Sequence, residues 1–174
     1  GVVYVIAARD LVLAAAIDIG DRTAAGDLWA GAGRNLLVTG ALDASVDEAG
    51  AAGGDIRLVA SLRQVGTLTI AESIRAAGGT RNDRGPHVAL TGCPLVVADG
   101  VTLDARGASG PAGTPDLSTL TMFSGRPMQL GAGSRYLAGP GGRVTATHPP
   151  TLGPIIGAGT IFDPLGLVDI EASS

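Results

Sequence analysis

The residues best suited to chemistry are acids that return at near-constant spacing. Asp18, Asp43 and Asp104 each follow an aliphatic residue in the phrases Ala16-Ile17-Asp18, Ala41-Leu42-Asp43-Ala44 and Thr102-Leu103-Asp104-Ala105. Arg75 takes the same place in Ser73-Ile74-Arg75-Ala76. A second set, Asp27, Asp55, His87, Asp116 and Arg143, follows Gly or Pro at the start of apolar runs. Carboxylates repeated in this way suit three chemistries. One is a cation site, which needs several oxygen ligands. Another is a sugar site. The third is glycoside cleavage, which needs two carboxyl groups on either side of the bond.

The local patterns narrow these choices. The sequence holds no Asp-x-Asp-x-Asp series, and Gly53-Gly54-Asp55 is only a fragment of the Gly-Gly-x-Gly-x-Asp calcium repeat. There is no Asp-Asp pair and no Gly-His-Gly; Asp83, Arg84 and His87 form the nearest cluster and read as a polar turn. Gly31-Ala32-Gly33 and Gly131-Ala132-Gly133 lack the Lys of a phosphate loop. No catalytic residue, metal or cofactor is therefore expected. Asp18, Asp43, Arg75 and Asp104 remain as candidate ligand-binding residues. Against that stands a simpler expectation: the mixed charges form a balanced outer wall, and turn aspartates bond nearby backbone amides.

The elements that position these residues follow from the repeat itself. The apolar centre of the phrase steps through 17, 42, 74, 103 and 137, the last copy being Arg135-Tyr136-Leu137-Ala138. The second marker places apolar residues at 28, 56, 88, 117 and 144. Two markers in constant order at about 30 residues point to a solenoid, in which each unit buries its apolar face against its neighbours. Between the markers the pattern alternates with period two, as in Ile56-Arg57-Leu58-Val59-Ala60 and Thr67-Leu68-Thr69-Ile70, which predicts strands. Each unit holds about three short strands. Loops rich in Gly, Ala and Pro, at 45–54, 77–86, 106–115 and 139–142, fall at one corner.

Only Leu68 to Ala77 has helical character, and it fits a strand equally well. Thr145 to Pro150 reads as a break because of its paired prolines. His148 is then a loop residue. The fold class is all-β, a right-handed parallel β-helix of about five coils with an irregular C-terminal segment. Residues 1–150 form the solenoid; 151–174 form a cap, a strand or an assembly segment. In such a fold, residues 17, 42, 74, 103 and 137 stack inward about 4.8 Å apart, with Asp18, Asp43, Arg75 and Asp104 beside them on the outside.

Composition sets further bounds. The 174 residues are 45% hydrophobic but only 3% aromatic, and Gly accounts for 28 of them. Aliphatic side chains and Ala suit a narrow layered interior. A net charge of −4, with every cation an Arg, offers no basic stripe for nucleic acid. The absence of Lys reads as base composition. Cys93, the single cysteine, sits in an apolar run and is expected to be buried and inert. Trp29 and Tyr136 are the rings expected nearest the surface; they could stack on sugars, but burial against a loop is the simpler expectation. No apolar stretch is long enough to span a membrane, and the N-terminus reads as that of a mature, processed or excised segment.

Gly53 to Ala60, continued through Ile74-Arg75-Ala76-Ala77-Gly78-Gly79, resembles the coils of bacterial right-handed β-helices of the filamentous-haemagglutinin-like adhesin type. The resemblance covers about residues 10 to 144. It implies a secreted or cell-surface, non-catalytic structural or adhesive module that associates with itself through its coil ends or C-terminal segment. The alternative is a carbohydrate-engaging β-helix, either a phage tail component or a polysaccharide-degrading enzyme, with a polysaccharide as partner. A flat threonine array of the ice-binding kind is not expected, because Thr67, Thr69, Thr119 and Thr121 are scattered.

Overall fold

The computed structural model describes residues 1–46, 51, 53–61, 65–78, 85–106, 118–139, 142–149 and 153–162, and the backbone of 167–172. Strands of period-two sequence wind into three parallel sheets. The long-strand sheet contains β1 (Val2–Ala7), β4 (Asp27–Ala32), β7 (Asp55–Ala60), β10 (His87–Gly92), β13 (Thr119–Ser124), β16 (Arg143–His148) and β19 (Leu167–Ala172). The second contains β2 (Leu11–Leu13), β5 (Leu36–Val38), β8 (Leu68–Ile70), β11 (Leu95–Val97), β14 (Gln129–Leu130) and β17 (Ile155–Ile156). The third contains β3 (Ile17–Asp18), β6 (Leu42–Asp43), β9 (Ile74–Arg75), β12 (Thr102–Asp104), β15 (Arg135–Leu137) and β18 (Ile161–Phe162). No helix occurs among the described residues. The chain is thus an all-β solenoid, and Leu68 to Ala77 becomes two strands, β8 and β9.

Each strand pairs only with its equivalents one coil away, so identical positions stack. Leu28, Ile56, Val88, Leu120 and Val144 form one inward column, all at most 1% exposed. Leu13, Val38, Ile70, Val97 and Leu130 form another. Burying one such side chain contributes about 1.5–3 kcal/mol. A small aliphatic core, repeated coil after coil, therefore replaces a rounded aromatic one. Most of the length variation lies between the third strand of one coil and the long strand of the next, at 19–26, 44–54, 76–86, 105–118 and 138–142. Much of it lies outside the described residues, as do Asp83, Arg84 and Asp116.

Three expectations are corrected by the register. The fifth residue of the repeated-phrase column is Tyr136, paired with Leu103, and Leu137 lies opposite Asp104. Tyr136 is fully buried, so it is no surface ring. Its volume fills the coil between Leu103 and Phe162, against whose ring it stacks at 5.1 Å. In the long sheet, Leu120 rather than Leu117 pairs with Val88. Pro115-Asp116-Leu117 imitates the turn marker, but the alternation of buried Leu120 and Met122 sets the strand three residues later. The segment 143–148 is a full strand, not a break. Val144, Ala146 and His148 point inward in the same alternation as in other coils, and the prolines come only after it. His148 is buried at the end of β16, with Nδ1 2.8 Å from the carbonyl oxygen of Pro149.

Residues 155–172 extend every sheet by one strand: β17 on β14, β18 on β15 and β19 on β16.

Candidate functional site

The structure brings Asp18, Asp43, Arg75 and Asp104 together in one column of the third sheet, in the order Asp18, Asp43, Arg75, Asp104. Their local role follows from backbone geometry. The amides of Ala44 and Val46 donate to Arg75 and Ala77 of the next coil at 2.8 and 2.9 Å. The intervening amide of Ser45 points the other way and donates to Asp43 Oδ1 at 2.8 Å. Gly20 N donates likewise to Asp18 Oδ1 at 2.9 Å, and Arg106 N to Asp104 Oδ1 at 3.1 Å. The repeated Asp is therefore an Asx turn that ends each short strand. Arg75 replaces it where a further carboxylate would stand between two others. Its Nη1 lies 3.9 Å from Asp43 Oδ2, with both side chains half exposed, so the pair contributes about 0–1 kcal/mol.

Asp104 departs from the expected outer wall. Its side chain is 8% exposed and is held by the guanidinium of Arg106, with Nε at 2.9 Å and Nη2 at 2.7 Å. Asp104→Ala should therefore lower stability by about 1.5–3 kcal/mol, measured by urea unfolding. Asp18→Ala, at an exposed turn, should cost less than about 1 kcal/mol, and Asp104→Asn should recover part of the loss. Equal costs at the two positions would contradict the assignment.

A second polar cluster, absent from the sequence reading, sits at the corner between the long strand and the second. Asp10 accepts from Arg34 Nε at 2.8 Å and from Arg34 Nη2. It also accepts from Asn35 N at 3.2 Å and Asn35 Nδ2 at 3.0 Å, while Thr67 N donates to Asn35 Oδ1 at 3.0 Å. The Arg34 hydrogen bond, aided by the amide of Asn35, holds the Asp10 carboxyl well below the usual carboxylate range. The sign follows from linkage. Asp10 adds stability above the ordinary carboxylate pKa near 4, and that contribution is lost as pH falls through its lower folded value. Asp10→Asn should remove that contribution at neutral pH and make the acid limb of the stability profile shallower below about pH 4.

The outer face of the long-strand sheet carries the remaining candidates. Tyr4, Trp29 and Arg57 stand in one outward column, with Asp27 and Asp55 in the column beside it. Tyr4 and Trp29 lie 6.1 Å apart, centroid to centroid, with rings tilted by 59°. With Val2 and Leu28 these residues line a groove of about 340 Å³. Asp55 N donates to Asp27 Oδ1 at 3.0 Å, tying the two acidic turns together. Farther along the face, His87 Nδ1 contacts Thr119 Oγ1, and Thr121 pairs with Thr145. Thr91 and Thr147 flank exposed Phe123 in the neighbouring column. Cys93 is buried.

Among the described residues, no three His, Cys, Asp or Glu side chains gather as a metal site. Nor is any helix long and apolar enough to cross a membrane. No family model, curated protein or solved structure matches the chain.

Proposed function

We propose that this chain is a non-catalytic extracellular structural and adhesive module whose coils stack end to end into a rod or surface-layer filament. One observation carries the reading. Of ten exposed large apolar side chains among the described residues, eight lie in the first or last coil: Val2, Val3, Tyr4, Ile6 and Val12, then Ile155, Ile156 and Ile161. In the interior coils the inward columns are buried, and the outward columns mix polar residues with half-buried apolar ones such as Leu37, Val59 and Val96. An apolar rung with an unpaired strand edge at each end favours addition of further coils. A head-to-tail contact of that kind does not close on itself and grows as a filament. The adhesive, cell-surface setting is supported by the likeness of residues 10–144 to adhesin coils.

Val3 and Ile156 occupy inward columns that lack a covering neighbour on one side. A charge there should oppose stacking while the coil itself persists. Val3→Lys or Ile156→Lys is expected to lower assembly at least tenfold by light scattering, as is removal of 151–174. Assembly unchanged in all three would sink the reading.

A further inference from the structure

We propose that the groove on the outer face of β1, β4 and β7 binds a neutral oligosaccharide lying along the solenoid axis; the idea rests on the adhesive part of the reading above. Tyr4 and Trp29 offer two ring surfaces in one column, 6.1 Å apart, and Arg57 continues that column. Asp27 and Asp55 form a parallel row two residues away along the strands, about 7 Å distant. An apolar platform beside a row of hydrogen-bonding groups matches the two sides of a pyranose. The CH face of the sugar covers the rings, and its rim hydroxyls meet carboxylates and guanidinium. Rings with a polar margin are suited to such half-wet contacts. The groove volume of about 340 Å³ lies within the range of ligand sites.

The charges choose the class of sugar. Two carboxylates against one guanidinium repel a uronate or a sulfated chain, while the carboxylates accept from hydroxyl donors. The geometry also disfavours a peptide. The groove crosses three strands whose amides are engaged in the parallel ladders. An extended peptide running across them would leave its own backbone groups without ladder partners. Beyond Arg57 the same column continues as Ala89, Thr121 and Thr145, so a longer saccharide meets further hydroxyls.

Trp29 is the chain's single tryptophan, so its emission reports on this site alone. The full chain is titrated with cellohexaose, maltohexaose and mannohexaose, with the corresponding disaccharides, and with hexagalacturonate. The expected result is a saturable emission change with at least one neutral hexasaccharide, at least tenfold tighter than with its disaccharide. Tyr4→Ala and Arg57→Ala should each weaken it at least tenfold, and Trp29→Ala should abolish binding by calorimetry. Circular dichroism checks that each variant is folded. No response to any neutral hexasaccharide, tighter binding of hexagalacturonate, or binding indifferent to Tyr4→Ala and Arg57→Ala would overturn the site. Arg57 lies away from both coil ends, so Arg57→Ala should leave light-scattering assembly intact. Failed sugar binding with intact assembly therefore rejects this groove without rejecting coil stacking.

Discussion

Gly131→Ala is expected to lower stability by about 3 kcal/mol or more, read from the urea midpoint. Gly131 sits in the corner between β14 and β15, directly over the preceding coil. A Cβ there would fall 2.3 Å from Ala98 C, 2.4 Å from Ala98 O and 2.5 Å from Asp99 N. All three atoms are backbone, so no side chain can swing aside, and the coils would have to part. The same corner turns through Gly133, whose φ of +66° lies in the left-handed region, so the chain has no easy way to absorb the displacement. Gly31→Ala is the matched control. Gly31 lies in β4 with nothing within 4 Å of its would-be Cβ, and the substitution should leave stability unchanged or slightly raised. Equal losses at the two glycines would show that the coils are not packed as described.

Tyr136→Ala is expected to cost about 3–5 kcal/mol. Tyr136 is fully buried, stands over Leu103 and stacks on Phe162 with 23° between the rings. Truncation empties the third sheet's inward column where few aromatic side chains are available to refill it. The hydroxyl is partnered too: Ser134 Oγ lies 3.1 Å away and also donates to Gly131 O at 2.6 Å. Tyr136→Phe should therefore cost only about 1 kcal/mol. Burial pushes the Tyr136 phenol up to about 12, partly offset by the Ser134 hydrogen bond. Its folded value lies above the unfolded one near 10, so the contribution is fully present below pH 10 and is lost as pH rises towards 12. That loss amounts to about 3 kcal/mol. Tyr136→Phe should flatten the alkaline limb, and an unchanged limb would contradict the buried phenol.

The features that the sequence made legible are those the coil repeats. Asp18, Asp43 and Asp104 mark the ends of β3, β6 and β12 because an Asx turn demands a particular side chain at a particular backbone position. Strand alternation then fixes which neighbours point inward. The sequence and the structure part where one local rule allows two answers. Tyr136 and Leu137 are both apolar, and only the volume required over Leu103 selects the ring. Pro115-Asp116-Leu117 has the chemistry of the turn marker, yet the variable loop lets the strand begin later. The prolines after His148 fall outside the ladder, so they do not interrupt β16.

The outer face was illegible for a different reason. Tyr4 and Trp29 stand 25 residues apart and Arg57 a further 28, and no local pattern joins them. They become neighbours only once the coils are in register. The Asp10, Arg34 and Asn35 cluster is hidden in the same way. A solenoid converts sequence period into spatial adjacency, so a site built across coils has no contiguous motif.

The central claim is that the two apolar coil ends meet. Cryo-electron microscopy of the purified chain over a range of concentrations tests it most directly. The account predicts fibres that lengthen with concentration and show a repeat of about 4.8 Å along their axis, with strands lying across the fibre. Separate particles of single-chain size at every concentration would contradict it.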